Sequence, residues 1–317
     1  MNKSAPVTSP FVDMPRAAWA ELAAATSVVL NQATIDKLRG IGDPTNETDV
    51  QEVFHPLAEL IGQHARHAGQ LSRDSSAYLG IDVATTPFIV GIAGSVAVGK
   101  STVARLVAEL LRRSQGRPKV ALITTDGFLF DNATLAARGL LERKGFPLTY
   151  DAQALLRFVV DVKAGLPQVS APVYSHNIYD IVPGQHTVIE RPDILVLEGL
   201  NVLQPPPWPT QDGAQALSVA DFIDFSVYVD ADESYVRDWF VQRFLQLRST
   251  AFLDPNSFFR QYATLGDDAA TSVALQIWDD INGPNLRQFI APTMPRATVI
   301  LRKDADHSVA SVSIRLV

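Results

Sequence analysis

Apolar residues in the middle of the chain fall into short continuous runs separated by polar turns or by helical patterns. Such runs occupy residues 87–93, 120–125, 193–197 and 225–230. Uninterrupted aliphatic residues predict strands buried on both faces, as in parallel sheets. Between the first two runs, residues 102–113 place apolar side chains at helical spacing. The pattern therefore predicts an α/β fold with a mainly parallel central sheet flanked by helices.

The chain before this region has helical rather than strand periodicity. After a polar tail over residues 1–10, a helix is expected from Pro15 through Leu22, then one near 35–38 that ends at Gly40, and a longer one after Thr48. We therefore expect a helical N-terminal segment over residues 1–85 and a core over residues 86–317.

The C-terminal third predicts further helices and then two strands. Helical patterns cover about 233–292, including one helix opened by Asp254 and Pro255, and their aromatic residues suit either a core or an apolar pocket. Residues 297–301 and 309–316 alternate like strands. The prolines at 205, 206, 207 and 209 predict a loop, because proline cannot continue a central strand.

Composition limits the possible functions. The 317 residues are 47% hydrophobic and carry a net charge of −7, which permits a sizeable core and argues against an obligate nucleic-acid binder. No cysteine is present, so thiolate catalysis is excluded and any metal site must use oxygen ligands or histidine. Because no apolar run resembles a signal peptide or a membrane span, we expect a cytoplasmic protein without membrane association.

The loop between the first strand and its helix carries the clearest chemical motif. Residues 94–101, GSVAVGKS, fit the phosphate-binding pattern G-x-x-x-x-G-K-[ST]. Glycines let successive N–H groups and the helix N-terminus face phosphate oxygens, while Lys100 reaches the terminal phosphates and Ser101 offers a hydroxyl to Mg²⁺. A glycine turn beside a surface lysine is the alternative, and the flanking strand and helix favour the phosphate site. The predicted nucleotide contacts are Gly94, Ser95, Val96, Ala97, Val98, Gly99, Lys100, Ser101 and Thr102.

Acidic residues follow two of the predicted strands. Asp126 comes directly after the strand over residues 120–125, and Glu198 ends the run over 193–197. Ligands of open α/β sheets bind beyond the carboxyl ends of the strands, so both acids are expected at the edge that carries the phosphate loop. An aspartate before a glycine is also a common turn residue. The position favours Asp126 as a catalytic group and Glu198 as a Mg²⁺ ligand, directly or through water.

Basic and aromatic residues that follow Asp126 along the chain suit a pocket that binds phosphate groups and substrate. Arg138, Arg143 and Lys144 follow the Asp126 edge and could face phosphates or solvent. Residues 172–186 combine tyrosines and a histidine in extended chain, which suits a pocket wall or a polar hairpin. Among three arginines of the helix after the fourth strand, Arg243 is the candidate for stabilising a transferring phosphoryl group, with surface ion pairing as the alternative.

Seven segments in this order resemble bacterial type I pantothenate kinases, members of the P-loop kinase superfamily. The match runs from about Ser9 to the C-terminus. The segments are GSVAVGKS from Gly94, TTDGFL from Thr124, RKGFP from Arg143, YSH from Tyr174, YDIVP from Tyr179, LEGLNVL from Leu197 and AFLDP from Ala251. The first is common to P-loop kinases, and the later six make the resemblance specific.

The resemblance implies one P-loop kinase domain over residues 1–317 that uses ATP and Mg²⁺ to phosphorylate pantothenate, the first step towards coenzyme A. It also implies a homodimer inhibited by coenzyme A in competition with ATP. Within it, Asp126 is the general base, Lys100 and Ser101 bind triphosphate and metal, and Arg243 stabilises transferring charge. The implied pantothenate contacts are Tyr174, His176, Tyr179, Phe240, Phe259, Tyr262 and Asn282. Lys303 and His307 match the adenine side, and Arg105, Lys144 and His176 match positions associated with coenzyme A.

The chain departs from the family pattern at three places. Phe240 stands where the family usually has a pocket tyrosine, Phe130-Asp131 replaces tyrosine-proline, and Asn177 replaces an aliphatic residue. None of these changes removes an implied catalytic group. They bear on substrate affinity and on inhibition.

Two other functions are compatible with parts of the pattern. A uridine-kinase-like or phosphoribulokinase-like enzyme would share the phosphate loop and the acid at a strand end. A regulator that binds nucleotide or coenzyme A without catalysis would keep the loop but would have no need of Asp126. The alcohol that accepts the phosphate distinguishes a uridine kinase or phosphoribulokinase from a pantothenate kinase. ADP release that depends on an acceptor distinguishes any of these kinases from a regulator without catalysis.

Overall fold

A computed structural model describes residues 9–22, 30–81, 86–206 and 217–316. The strands of these residues are β1 (Phe11–Pro15), β2 (Phe88–Gly94), β3 (Val120–Thr124), β4 (Val169–Ser175), β5 (Asp180–Ile189), β6 (Ile194–Glu198), β7 (Phe225–Ala231), β8 (Val299–Lys303) and β9 (Val309–Arg315). The α-helices are α1 (Arg16–Ala20), α2 (Gln32–Leu38), α3 (Glu47–Asp49), α4 (His55–Leu79), α5 (Lys100–Arg113), α6 (Asn132–Ala137), α7 (Ala152–Lys163), α8 (Glu233–Arg248), α9 (Asp267–Ile277) and α10 (Gly283–Asn285).

Seven strands form a central sheet in the order β1-β9-β8-β7-β2-β6-β3. Neighbours from β8 to β3 run parallel, whereas β9 pairs antiparallel with both β8 and β1. Every residue of β2 is buried, as expected for a strand covered on both faces. The predicted mainly parallel α/β sheet is confirmed. β4 and β5 form a separate antiparallel hairpin.

The N-terminal segment is helical as predicted, but it begins with a strand. Phe11–Pro15 pairs with the last strand, with Phe11 opposite Arg315, and the helix starts only at Arg16 and ends at Ala20. The expected helix from Pro15 through Leu22 was therefore wrong at both ends, because pairing with a segment about 300 residues away overrides the local helical pattern. Most of the predicted tail, residues 1–8, lies outside the described residues, as do Pro207 and Pro209 of the proline-rich loop.

The helix predicted to begin at Asp254 is absent from the described structure. Residues 251–253 and 260–262 are short 3₁₀ turns instead. The Asp254 carboxylate accepts hydrogen bonds from the Asn256 amide at 2.8 Å and from Asn177 Nδ2 at 2.9 Å. These bonds tie the segment to the β4–β5 hairpin in a turn conformation, so the helical pattern is not realised.

Two apolar clusters hold the described residues together. The larger joins the sheet to the N-terminal segment and includes Trp19, Ile35, Val53, Ile89 and Val229. The smaller lies between α8 and α9 and is built around Phe244, Phe252, Ala270 and Ala274. In the part of the chain described here, each helix is too short or too polar to span a bilayer.

Candidate active site

The phosphate-loop sequence forms the expected connection between β2 and α5. Gly94 has φ of 140°, and a Cβ there would lie 2.4 Å from the Val229 carbonyl oxygen, so only glycine lets the loop begin this close to β7. Gly99 and Ala97 also have positive φ, at 96° and 60°. Ala97 adopts a conformation that costs energy for a residue with a Cβ, as is often seen in ligand-binding loops.

The sheet register places the two predicted acids beside this loop. Glu198 lies opposite Ile92 of β2 on one side and opposite Thr124 of β3 on the other. Gly94 and Asp126 therefore each come two residues beyond the level of Glu198. The sequence expectation that both acids reach the edge bearing the loop is confirmed.

Lys100 lies buried between these acids. Its Nζ donates a hydrogen bond to the Ser95 carbonyl at 2.6 Å, and only 8% of the residue is exposed. Burial lowers the pKa of Lys100, while the carboxylates of Glu198 and Asp126 oppose that shift. The ammonium is thus held at the loop by the Ser95 carbonyl, and the two acids at the strand ends favour its charged form.

The surroundings of Glu198 suit a divalent cation. Burial raises the pKa of Glu198, and the neighbouring Asp126 raises it further, although Lys100 and a hydrogen bond with Ser101 act in the opposite sense. A cation beside this carboxylate would favour its ionised form. In the described ranges, no group of three or more histidine or acidic side chains is placed to hold a metal ion.

A cleft of about 430 Å³ opens over the loop. Predicted residues lining it are Ala97, Gly99, Lys100, Ser101, Thr102, Arg105, His176, Arg243 and His307. Residues lining it that sequence reasoning missed are Lys37, Arg39, Gly40, Ile41, Gly42, Asp43, Trp239, Gln242 and Gln246. The missed residues come mainly from the α2–α3 loop, whose only sequence signal was a glycine at a helix end.

The α2–α3 loop is fastened to the phosphate-loop helix. The Gly40 amide donates to Thr102 Oγ1 at 3.0 Å, and Arg105 Nε donates to the Leu38 carbonyl. Burial alone would raise the pKa of Asp43, but Lys303 and hydrogen bonds from threonines lower it overall. Asp43 therefore enters the cleft as a carboxylate, close to the Lys303 ammonium.

The opposite wall of the cleft joins α8 to the β8–β9 turn. The Trp239 ring stacks on His307 with centroids 4.0 Å apart, and Trp239 Nε1 donates to the Ala305 carbonyl at 3.1 Å. Lys303 Nζ donates to the Val98 carbonyl at 3.3 Å. Lys303 and His307, predicted for the adenine side, thus lie beside the loop, with Trp239 as an unpredicted neighbour.

Among the three arginines of α8 that the sequence singled out, Arg243 is the one that lines the cleft. Arg237 lies 3.8 Å from the Asp279 carboxylate, and Arg248 forms an ion pair with Asp267. Arg138 and Arg143 lie over the rings of Phe130 and Phe146, at 4.1 and 6.0 Å, and do not line the cleft.

A chain of aromatic rings continues from the cleft at His176. Tyr174 lies 5.2 Å from His176 and 6.4 Å from Tyr179, measured between ring centroids. Tyr179 lies 4.9 Å from Phe259, which lies 6.3 Å from Tyr262. Five predicted pantothenate contacts are therefore neighbours, and His176 belongs both to this ring chain and to the cleft.

The β4–β5 hairpin holds these rings against the Asp126 turn. A Cβ on Gly127 would lie 2.1 Å from the Pro172 carbonyl oxygen, so glycine permits the close approach of the hairpin. Lys144 lies beneath the rings, with Nζ 4.4 Å from the Tyr179 centroid, and donates to Asn132 Oδ1 at 2.6 Å. The implied coenzyme A positions thus span both the cleft, at Arg105 and His176, and the ring chain, at Lys144.

Phe240 lies at the edge of this region, whereas no contact connects Asn282 to it in the described ranges. Phe240 packs against both apolar clusters, and its ring lies 5.9 Å from Trp278. Asn282 is half-buried at the end of the π-helical turn Trp278–Asn282, and within the described ranges its side chain makes no hydrogen bond to the ring chain. Phe240 is thus connected to Phe259 and Tyr262 through the smaller cluster.

The two remaining departures have structural explanations. Asp131 caps α6 by accepting a hydrogen bond from the Thr134 amide at 2.7 Å, and Phe130 packs beneath Arg138. Asn177 holds Asp254 through its side chain and accepts from the Phe258 amide at 2.9 Å through its carbonyl. Both substitutions fasten segments around the site and leave the acids at the strand ends in place.

Comparison with known proteins identifies the family. A family model described as the phosphoribulokinase / uridine kinase family matches residues 89–250. A pantothenate kinase of Cutibacterium acnes is 55% identical over 311 residues, covering 97% of this chain and 95% of that protein. This chain belongs to the pantothenate kinase family. A second pantothenate kinase, from Paenarthrobacter aurescens, is 52% identical and covers 98% of this chain and 95% of its own length.

A comparison with solved structures agrees with the α/β fold. A solved D-glycerate 3-kinase from Cryptococcus neoformans has a TM-score of 0.54 at 14% identity, covering 80% of this chain and 97% of its own. At that identity the likeness concerns the fold alone. The pantothenate kinases also match the region after residue 250, where Phe259, Tyr262, Asn282, Lys303 and His307 lie, so the family assignment includes the ring chain as well as the phosphate loop.

The buried ammonium of Lys144 predicts a pH-dependent stability. Removal from water lowers the pKa of Lys144 to about 8, whereas lysine in an unfolded chain titrates near about 10.4. Above about pH 8 the unfolded state therefore binds more protons, and the contribution of Lys144 to the free energy of unfolding rises with pH. Urea unfolding at about pH 7.5 and about pH 9.5 should show the wild type gaining about 1–2 kcal/mol relative to Lys144→Met. An unchanged difference would contradict this assignment.

Proposed function

We infer that the chain is a pantothenate kinase, an ATP-dependent phosphotransferase that acts on an alcohol and forms 4′-phosphopantothenate. The observation that carries this inference is the joint presence, on one edge of the sheet, of the loop around Lys100, the acids Asp126 and Glu198, and the ring chain that continues from His176. The first three suit phosphoryl transfer, and the ring chain suits an acceptor with apolar parts. The similarity to pantothenate kinases over nearly the whole chain supports the choice of acceptor.

We propose the following roles for the site residues. The oxygen of the acceptor hydroxyl bonds to the γ-phosphorus of ATP, and Asp126 accepts the proton that this hydroxyl loses. The bond between the γ-phosphorus and the β–γ bridging oxygen breaks, which releases ADP. Lys100 and the loop amides stabilise the phosphate charge, and Arg243 approaches the transferring group from α8. Lys303 and His307 hold the nucleobase side. The ring chain, with Phe240 at its edge, holds pantothenate, and Asn282 is a further contact that the family resemblance implies.

Mg²⁺ would be held by Ser101 and Glu198, with phosphate oxygens and water completing its shell. When bound, Mg²⁺ would offset charge on the β- and γ-phosphates. The proximity of Ser101 to Glu198, which lowers the pKa of that carboxyl, supports this pair of ligands.

A reaction that consumes ATP favours a location in the cytoplasm. The further use of the product lies in coenzyme A biosynthesis.

Coenzyme A is proposed as an inhibitor that competes with ATP. Arg105 and His176 line the phosphate-loop cleft, while Lys144 lies under the rings beyond His176. A ligand that reached all three would need to occupy both the cleft and the ring chain. Such a ligand would exclude ATP, as the family resemblance implies.

The exposed half of α4 is proposed as the surface of a homodimer. Leu71, Tyr78 and Leu79 are 68%, 90% and 63% exposed, and their spacing places them on one helix face. A second copy of this chain would cover that face. Sedimentation should give a dimer for the wild type and a monomer for the double variant Leu71→Glu, Tyr78→Glu. A wild-type monomer at micromolar concentration would contradict the dimer, and a dimeric variant would contradict this surface.

An acceptor screen tests the function. ADP release would be measured with ATP and Mg²⁺ in the presence of pantothenate, uridine or ribulose 5-phosphate, with and without coenzyme A. We expect release with pantothenate to exceed release with the other two acceptors and to fall when coenzyme A is added, with recovery at high ATP. Faster release with uridine or ribulose 5-phosphate would contradict the assignment. ATP binding without acceptor-dependent release would indicate a regulator.

A further inference from the structure

A buried tyrosine lies directly behind the proposed catalytic acid. Tyr150 is only 6% exposed, and its hydroxyl donates to Asp126 Oδ1 at 3.4 Å. Within the described part of the chain, Tyr150 is the only side chain that donates to this carboxylate. Hydrogen bonds at catalytic acids are often long before substrate binds, so this length is compatible with a functional contact.

The backbone fixes this contact from both sides. The Asp151 amide donates to the Phe128 carbonyl at 2.8 Å, and the Phe130 amide donates to the Thr149 carbonyl at 2.9 Å. Leu129 and Tyr150 form an isolated antiparallel bridge between these two bonds. The segment that carries Tyr150 is therefore clamped to the turn that carries Asp126, which fixes the two backbones relative to each other and keeps the hydroxyl within reach of the carboxylate.

The same segment is fastened to the Lys144 turn. The Gly145 amide donates to Thr149 Oγ1 at 3.1 Å, and Thr149 Oγ1 donates to the Phe146 carbonyl at 2.7 Å. Tyr150 thus follows a rigid turn whose other end lies beneath the ring chain. The position of the Tyr150 backbone is therefore fixed relative to Asp126 and relative to the proposed acceptor pocket.

The protonation state of the phenol determines which way the hydrogen bond runs. Burial raises the pKa of Tyr150 well above its ordinary value, and the carboxylates of Asp126 and Glu198 raise it further. The phenol therefore keeps its proton across the working pH range. The phenol can donate a hydrogen bond to Asp126, and it cannot take the proton that the hydroxyl of the phosphate acceptor releases.

We propose that Tyr150 is a positioning residue for phosphoryl transfer, which holds Asp126 Oδ1 so that Oδ2 is the oxygen left to receive the acceptor proton. The proposal rests on the proposed function, because it assigns Asp126 the role of base. A carboxylate free to rotate would present its oxygens to the hydroxyl in many orientations, and loss of alignment lowers turnover. Tyr150 touches neither nucleotide nor acceptor in this arrangement, so its removal should leave both KM values nearly unchanged.

A double-variant cycle tests the proposal. Tyr150→Phe removes one hydroxyl and should lower kcat for pantothenate about tenfold, within the range found for hydrogen bonds to charged groups, with less than about a twofold change in either KM. In an Asp126→Ala background the same substitution should change kcat by less than about twofold, because the acceptor of the hydrogen bond is gone. The slow variants would be followed by mass detection of the phosphorylated product over long incubations.

A matched control separates this role from a structural one. Tyr228 is 1% exposed and lies within β7. Tyr228→Phe removes a buried tyrosine hydroxyl elsewhere and should leave kcat within about twofold of the wild type. Three results would each overturn the proposal. The first is an equal loss of kcat from Tyr150→Phe in both backgrounds, and the second is an unchanged kcat for Tyr150→Phe in the enzyme that keeps Asp126. The third is a Tyr150→Phe protein that unfolds or fails to bind ATP. Absence of turnover with pantothenate in the wild type would instead overturn the proposed function.

Discussion

Replacing Asp126 by asparagine should lower kcat for pantothenate by about 10²- to 10⁴-fold, the range that general-base catalysis contributes. Asparagine has nearly the same shape as aspartate but cannot take the proton released by the acceptor hydroxyl. Asp126 comes two residues after the end of β3 and lies two residues beyond the level of Glu198. Nucleotide affinity should change little, because the loop amides and Lys100 remain.

The effect of Asp126→Asn is measured as steady-state kcat together with the dissociation constant of ATP from calorimetry. Asp268→Asn is a matched control, since Asp268 is exposed on α9. The control should behave like the wild type in both measurements. Near-normal turnover in Asp126→Asn would show that another group accepts the proton.

Replacing Lys100 by alanine should lower both ATP affinity and turnover. The ammonium is the buried positive charge of the loop, held by the Ser95 carbonyl and facing two acids. Its loss removes a charge that stabilises the transition state, worth about 10²- to 10³-fold in kcat by analogy with other electrostatic stabilisers. It also removes a cation that offsets the charges of Glu198 and Asp126, so these acids would oppose binding of the ATP phosphates.

Lys119→Ala serves as the control for Lys100→Ala, because Lys119 is exposed at the opposite end of β3. ATP titrations and initial rates should distinguish the two variants clearly. Equal kinetics for Lys100→Ala and the wild type would rule out the phosphate role of this lysine. If Lys100→Ala binds ATP normally but turns over slowly, Lys100 stabilises the transition state and contributes little to ATP binding.

The sequence alone predicts which residues meet at this edge of the sheet, because each of them has a local signal. The phosphate loop has fixed spacing, and Asp126 and Glu198 each follow an unbroken apolar run. In parallel strands, the end of the run then determines the edge at which the acid lies. These signals need no knowledge of strand order, which the pattern left undetermined.

The missed parts depend on contacts between distant segments. Phe11–Pro15 forms a strand because β9 lies beside it, and the α2–α3 loop reaches the cleft because Gly40 bonds to Thr102. Tyr150 follows a short proline turn with no motif of its own. Its position behind Asp126 depends on backbone bonds between residues 128–130 and 149–151. Long-range pairing of this kind leaves little trace in local periodicity.

Phe240 shows how a substitution can be recognised in sequence while its effect depends on packing. The sequence indicates that a tyrosine hydroxyl is missing at this position, a change that bears on substrate affinity. The ring packs between the larger and the smaller apolar clusters, next to Trp278, where a phenyl group fits without a polar partner. The effect on pantothenate affinity therefore depends on whether the acceptor reaches the edge of the ring chain.

The most direct test of the proposed reaction is to identify its product. Purified protein would be incubated with ATP, Mg²⁺ and pantothenate, and the products would be analysed by mass spectrometry and ³¹P NMR. We expect pantothenate to gain one phosphate on its primary hydroxyl in step with ADP formation, with Asp126→Asn giving far less product in the same time. Unmodified pantothenate alongside active turnover of another alcohol, or no phosphorylated product at all, would contradict the assignment.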